Sequence, residues 1–341
     1  MNKLSAELQQ ELKKNIQNGY VRLSEHPSYS LKIFNYTPKA QYDNEWNEIT
    51  QICRGLVLDN DYNIIIQCPP KFFNLGEPFA ADIDLLNARI SEKLDGYYIS
   101  IKLDSDYGLI VTSRGSFDNQ YVSAAKQFLT DDIILKMPTN YTFFCELLQN
   151  FPGDEAIILT QHPTPKLVCW AVKDNDFQEL PLAEDCPFER AKYMSYAEAL
   201  QYLQNKVEGV VAQDPKTFER VKIKTEWFLE HHRILADCTQ TRVWELVRNG
   251  DRVSELDIPD EFMSKMLTWE SDFQNQYRQR MSYYTDLYEQ TEHLSDKELA
   301  LSAEISKHDK AYIYSIRKQK QGEKSISALV WQELKPAIIE R

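Results

Sequence analysis

The sequence predicts an α+β fold with mainly antiparallel sheets, followed by an all-α C-terminal domain. Three observations carry this reading. Residues 50–235 hold short runs rich in β-branched and aromatic side chains, broken by turn residues. The links between those runs are more often of hairpin length than of helix length, so antiparallel pairing outnumbers crossovers. Beyond residue 236 the alternation vanishes and apolar residues recur at helical steps. The expected domains are therefore 1–235 and 236–341, in keeping with a chain of 341 residues.

The elements follow in order. Leu4, Leu8, Leu12 and Ile16, spaced four apart among polar residues, predict an amphipathic helix and not the apolar core of a signal peptide. Ile52–Asp59 and Tyr62–Gln67 flank Asn60-Asp61 as a hairpin. Tyr97–Leu103 and Tyr107–Ser113 flank Asp104–Asp106 in the same way. Tyr141–Leu148, Lys166–Val172, Val207–Ala212 and Arg220–Lys224 are further strands, and Tyr196–Gln204 has helical spacing. In the C-terminal part Phe262, Met266, Phe273, Tyr277, Met281, Tyr284 and Tyr288 predict one face of a long helix.

Composition narrows the class. With 43% hydrophobic residues and only short apolar runs, the chain predicts a soluble cytoplasmic protein with no membrane span. The six cysteines lack the close spacing of a zinc or redox motif and read as reduced core residues. A net charge of −13 excludes coating of nucleic acid through bulk charge, so any polyanion must meet a local patch.

The segment that carries chemistry is Ser91-Glu92-Lys93-Leu94-Asp95-Gly96, read as a lysine entering a strand, followed by an acid and a flexible glycine. Alone it is a weak signal and reads more readily as a solvated turn before a strand. Glu146 lies in the apolar run Phe143–Leu148, and Glu208 in Val207-Glu208-Gly209-Val210-Val211. A buried carboxylate needs a partner in either place. Glu219–Lys224 alternates, which puts Arg220, Lys222 and Lys224 about 7 Å apart on one strand face, with Val221 and Ile223 pointing into the core. Such a row calls for anions above it, a polyphosphate being the functional candidate and a solvated edge strand the plain one.

In this order Lys-x-Asp-Gly, apolar-Glu, apolar-Glu-Gly and Lys-x-Lys resemble the motifs of the covalent nucleotidyltransferases: RNA ligases, DNA ligases and mRNA capping enzymes. Cys53-Arg54-Gly55-Leu56, Lys71-Phe72-Phe73-Asn74, Ser113-Arg114-Gly115-Ser116 and Lys222-Ile223-Lys224-Thr225-Glu226-Trp227 make residues 40–235 similar to the phage-type RNA ligase 1 family of tRNA-repair enzymes. The resemblance implies an antiparallel, ATP-grasp-like nucleotidyltransferase domain before the helical one, with ATP and Mg²⁺ as cofactors and RNA as partner. It implies Lys93 as the nucleophile that becomes a lysyl-adenylate, with Asp95, Glu208, Lys222 and Lys224 in the catalytic set and Glu208 and Asp95 as metal ligands. Arg54, Lys71, Gly96, Arg114, Glu146, Lys222 and Lys224 would line the nucleotide site, Glu146 on the ribose. Tyr97 and Phe228 depart from the family pattern, at positions where nucleotide contacts are expected.

The implied activity seals a 3′-hydroxyl to a 5′-phosphate, on tRNA with a broken anticodon loop, beside a kinase/phosphatase that heals the ends, in a monomeric enzyme. DNA ligases and capping enzymes usually append an OB-fold where this chain reads as helical. A silent nucleotide- or RNA-binding module would have no need of the nucleophile. In the helical part Lys310, Tyr314, Arg317 and Lys318 form a basic, tyrosine-bearing stretch that reads either as a contact for RNA or as a solvated face.

Overall fold

The computed structural model describes residues 3–151, 160, 162–256, 258, 260–320 and 326–336. Helix α1 (Ala6–Gln17) leads into β1 (Val21–Glu25) and β2 (Leu31–Tyr36), the short α2 (Pro38–Tyr42) and α3 (Glu48–Ile52), and the hairpin β3 (Arg54–Asp59) and β4 (Ile64–Ile66). Next come β5 (Phe73–Asn74), β6 (Arg89–Lys93), the hairpin β7 (Tyr97–Asp104) and β8 (Gly108–Ser113), α4 (Gln120–Lys126), α5 (Asp131–Lys136), β9 (Thr142–Leu148) and β10 (Lys166–Lys173). The short strands β11 (Glu179–Leu180), β12 (Glu189–Arg190) and β13 (Tyr193–Met194) precede α6 (Tyr196–Tyr202), β14 (Gly209–Gln213) and β15 (Arg220–Lys224). Then α7 (Glu226–Asp237), α8 (Gln240–Asn249), α9 (Asp260–Thr291), α10 (Asp296–Leu301), α11 (Lys307–Lys320) and α12 (Ser327–Glu333) follow. The chain divides into two compact units, Met1–Glu230 and His231–Arg341.

Three sheets build the first unit. One runs β1-β2-β3-β4; a second runs β11-β10-β9-β7-β8 with β12 beside β10; a third runs β13-β6-β14-β15-β5. Among the described residues these pairings are antiparallel apart from β10 with β12 and β15 with β5. The first two sheets pack face to face. Leu31, Ile33, Val57 and Ile66 meet Tyr98, Ile110, Phe144 and Ala171 between them. The outer face of the first sheet is covered by α1 and α3 through Leu12, Phe34, Ile49 and Leu56. That of the second is covered by α4 through Ile99, Ile101, Val122, Ala125 and Leu147. Strand β7 is thereby buried on both faces, so its polar positions must be satisfied internally. Ser100 and Thr112 share a 2.6 Å hydrogen bond, and the Lys102 ammonium donates to the Ile65 carbonyl at 2.8 Å and pairs with Asp104 at 2.9 Å.

The strands β1 and β2 lie outside the predicted set. Lys32, Asn35 and Ser24 interrupt their apolar pattern, and pairing with β3, as in Ile33↔Val57, holds them extended. Tyr97 belongs to the core below the second sheet, its ring stacked on Tyr121 with centroids 4.1 Å apart. Five of the six cysteines are buried free thiols, and Cys186 is half-buried.

The second unit is helical. Met266, Phe273, Tyr284 and Tyr288 of α9 are buried, as their spacing predicts. Tyr284 stacks on Tyr312 with centroids 3.7 Å apart, and the Trp244 indole donates to the Trp331 carbonyl at 2.8 Å. The residues assigned to RNA contact are mostly used inside this unit. Lys310 donates to the carbonyls of Ala300 and Ser302 (3.0 and 2.6 Å), Tyr314 to that of Asp296 (3.0 Å), and Arg317 to those of Thr291 and Leu294 (3.1 and 2.8 Å). Helices leave carbonyls unpaired at their C-terminal ends, and Lys310 and Arg317 satisfy those at or just beyond the ends of α10 and α9. Lys318 is exposed. Among the described residues no helix is long and apolar enough to cross a membrane.

Candidate active site

Lys93 ends strand β6 and does not enter one, which corrects the expectation from sequence. Leu94-Asp95-Gly96 then carries the chain from the third sheet into β7 of the second, so the lysine stands where two sheets diverge. The turn is pinned at several points. A Cβ on Gly96 would fall 2.7 Å from the Leu147 carbonyl oxygen and 2.8 Å from Glu146 Cγ, so glycine is required here by the approach of β9. The Asp95 carboxylate accepts from the Thr160 N–H at 2.8 Å, and the Asp95 carbonyl lies 2.6 Å from His162 Nε2.

Gly209 aligns the rest. It is in register with Lys93 on one side and Lys224 on the other. Its φ of +149° and a Cβ position only 2.0 Å from the Ile223 carbonyl oxygen admit no side chain. Glu208, immediately before it, is buried and holds both lysines: Lys93 Nζ at 2.8 Å and Lys224 Nζ at 3.0 Å. Burial alone would raise the Glu208 carboxyl, but Lys93 and Lys224 outweigh it and hold the group below the usual carboxylate range.

The expected row of three cations is broken at its first member. Arg220 is buried in a two-pronged pair with Glu179, Nη1 to Oε2 at 2.9 Å, and its guanidinium lies 5.4 Å from the Trp170 ring centroid. Its charge is therefore compensated within the protein, by a residue 41 positions away that no local pattern singles out. Lys224 is paired to Glu208 and lies 4.4 Å from the Phe228 ring centroid. This leaves Lys222. Among the described residues it has no carboxylate at ion-pair distance, and burial together with Lys71, Lys224, Lys93 and Arg54 pushes its ammonium down to about 7.

Arg54, Lys71 and Arg114 are seated on aromatic rings. The Arg54 guanidinium lies 5.3 Å from the Tyr98 centroid and 5.6 Å from that of Phe72. Lys71 Nζ lies 4.4 Å from Trp46, 4.8 Å from Phe73 and 5.4 Å from Tyr36, and Arg114 shares Tyr36 at 5.4 Å. Ring quadrupoles orient a cation without cancelling its charge, as a carboxylate would. The field that results is visible at Tyr36: burial would raise its phenol, yet Arg114, Arg54 and Lys71 bring it below its ordinary value. Tyr36 and Trp46 were not singled out in the sequence, since neither belongs to a charged or alternating pattern.

Beside Lys93 a pocket is lined by Arg54, Phe72, Glu146, Trp170, Val211 and Arg220, among others. Arg54 Nη1 and Trp170 Nε1 are buried donors with no hydrogen-bond partner among the described residues, so the walls hold unused polar capacity suited to a polar, anionic ligand. Glu146 is pushed up to about 7 by burial, against the pull of Lys93 and Arg54. Among the described residues no three carboxylate, histidine or cysteine side chains converge on one point. A divalent cation would thus find fewer than three protein side chains, Glu208 and Asp95 being the expected ones, and would rely on the oxygens of a bound phosphate and water, donors that suit a hard ion.

A family model described as RNA ligase matches residues 52–228. The fold is similar to that of an archaeal ATP-dependent RNA ligase, at 15% identity and a TM-score of 0.50, over 77% of this chain and 75% of that one. A putative ATP-dependent DNA ligase from Aquifex aeolicus aligns at 17% identity and a TM-score of 0.47, over 88% and 89% of the two chains. An RNA ligase from Naegleria gruberi, solved with pyrophosphate, aligns at 16% identity and a TM-score of 0.34, over 51% and 66%. No curated protein matches the chain.

Proposed function

Because the chain belongs to the RNA ligase family, whose model matches residues 52–228, we propose that it is an ATP-dependent RNA ligase that joins a 3′-hydroxyl to a 5′-phosphate through Lys93. The observation that carries the reading is the Glu208 carboxylate held between Lys93 and Lys224, beside the uncompensated Lys222 and a pocket with unpaired donors.

In the first step the neutral Lys93 amine attacks the α-phosphorus of ATP. A P–N bond forms, the bond to the β-phosphate oxygen breaks, and pyrophosphate leaves. In the second, an oxygen of the RNA 5′-phosphate displaces the lysine and takes the adenylate. In the third, the RNA 3′-hydroxyl attacks the activated phosphate, loses its proton and expels AMP. Lys93 must shed a proton before the first step and part from the Glu208 carboxylate that holds it at 2.8 Å. A divalent ion at Glu208 would supply positive charge to the phosphates and to the departing oxygen. With Glu208 holding such an ion, Lys93 would be left to attack, and Lys222, Lys71, Arg54 and Arg114 would meet the triphosphate. Lys222, protonating as the anion arrives, offsets the charge that builds on pyrophosphate. Glu146 accepts from or donates to a ribose hydroxyl, its carboxyl poised near neutrality. Asp95 serves chiefly to hold the turn after Lys93.

We assign the substrate to tRNA broken in its anticodon loop, on the strength of the family resemblance and of the second, helical unit. Breaks that leave other end groups need a kinase/phosphatase to restore the 5′-phosphate and 3′-hydroxyl. Incubation with α-labelled ATP and Mg²⁺ tests the chemistry: an acid-resistant protein–AMP adduct is expected, absent from Lys93→Ala. An unlabelled wild-type protein overturns the reading, and labelling by GTP in place of ATP redirects it to capping chemistry. Sealing of nicked anticodon stem-loops in preference to other nicked RNAs tests the tRNA assignment.

A further inference from the structure

A second cleft, of about 740 Å³, adjoins the pocket beside Lys93 and shares Phe72 and Arg220 with it. Its volume falls within the roughly 300–1,000 Å³ common for ligand sites. Phe79, Phe177 and Phe218 add to its walls, with Lys173, Lys216 and Glu219. Glu179 lies here too, but its charge is taken up by Arg220. Cations thus outnumber uncompensated acids on the walls, in a chain whose net charge is −13.

Phe177 and Phe218 are placed at a cost. They stand at φ +58° and +61°, in the left-handed region that glycine or asparagine occupies cheaply and bulky residues avoid. The same turn chemistry puts both there. The Asp174 carboxylate accepts from the N–H groups of Asp176 and Gln178, and Phe177 N–H reaches the Asp174 carbonyl at 3.1 Å. The Asp214 carboxylate accepts from those of Lys216 and Thr217, and Phe218 N–H reaches the Asp214 carbonyl at 3.0 Å. A third turn built alike places Tyr62 at φ +64°, but that ring packs into the core over α1. Phe177 and Phe218 belong to none of the core clusters and are half-buried at the cleft; Lys102 Nζ lies 5.9 Å from the Phe177 centroid. Strain kept at two aromatic positions that serve no core, facing one opening, points to a ligand with flat faces.

We propose that this cleft binds unstacked nucleobases of the RNA substrate, stacked on Phe177 and Phe218, with the adjoining phosphates met by Lys173 and Lys216. Single-stranded nucleic acid suits such walls because every base offers a π-face and its backbone seeks cations. The wall shared with the nucleotide pocket puts the strand next to the reacting end. The inference rests on the RNA ligase reading and deepens it.

The test uses the full chain with Phe177→Asn, Phe218→Asn and the double variant. Asparagine tolerates the left-handed region, so the turns are kept, and an unfolding midpoint no lower than that of the parent shows it. Labelling of Lys93 by ATP without RNA is expected to stay unchanged. The affinity for a fluorescent, 5′-phosphorylated single-stranded oligoribonucleotide falls roughly 5- to 150-fold per stacked base lost. An oligonucleotide carrying 5-iodouridine crosslinks to residues 173–179 or 216–220 of the parent protein. Unchanged RNA affinity in folded variants, or crosslinks mapping only elsewhere, overturns the proposal. Should the parent protein fail to take label from ATP, the ligase reading falls, while the affinity and crosslinks still decide what this cleft binds.

Discussion

The Lys93 ammonium and the Glu208 carboxylate touch at 2.8 Å, and the same carboxylate reaches Lys224 at 3.0 Å, so one anion holds two lysines. Removing the charge of Glu208 while keeping its shape separates the two roles of this carboxylate. In Glu208→Gln, Lys93 loses its stabilising partner and should be acylated faster than in the parent by an amine-directed reagent near pH 8, as read by peptide mapping. Adenylylation should nevertheless fall on the order of 100-fold or more, because the same carboxylate is a proposed ligand of the metal ion. Slower acylation would contradict the ion pair as the brake on Lys93.

Gly209 should be among the least replaceable residues outside the reacting groups. In Gly209→Ala the new methyl meets the Ile223 carbonyl at 2.0 Å, so β14 and β15 must part and Lys224 must move from Glu208. A loss of about 3 kcal/mol in denaturant unfolding, or failure to fold, is expected. Gly108→Ala is the comparison: it also has positive φ, but its Cβ would meet nothing within 4 Å, so only the backbone cost of about 1 kcal/mol remains.

Lys222 gives a pH dependence of definite sign. Its ammonium falls from an ordinary 10.5 to about 7, through burial and the neighbouring cations. Between those values the unfolded chain holds a proton that the folded one has released. Stability is thus lost as pH falls through this window, and the loss is complete below about 7. Lys222→Met should accordingly stabilise the nucleotide-free protein by on the order of 1 kcal/mol at pH 7 and by little near pH 10.5, while abolishing transfer. Denaturant titrations at both pH values check this; an equal effect at the two would contradict the uncompensated charge.

The Trp46 ring lies 4.4 Å from Lys71 Nζ and is expected to position that ammonium. Trp46→Leu removes the ring 4.4 Å from Lys71 Nζ and should weaken ATP binding about 2- to 5-fold, with Trp46→Phe retaining most of the affinity. Equal affinity in all three proteins, by calorimetry, would show that the ring merely fills space.

What could be read along the chain was whatever repeats at short range. Alternation marked the hairpins β3–β4 and β7–β8 and the strands β9, β10, β14 and β15. Ordered motifs picked out Lys93, Glu146, Glu208, Lys222 and Lys224; of these, Lys93 and Glu146 line one pocket, and Glu208 joins Lys93 to Lys224. The opposite assignment of neighbouring cations was beyond such reading. Arg220 and Lys222 look alike in an alternating strand, yet Glu179 compensates one, and among the described residues no carboxylate pairs with the other. Lys310 and Arg317 look like a nucleic-acid contact until the helix ends they cap are folded beside them. Chemical type and strand face are local properties, set by covalent structure and a two-residue period. Whether a charge stays available to a ligand depends on the groups brought against it from distant parts of the chain, and packing alone decides which those are.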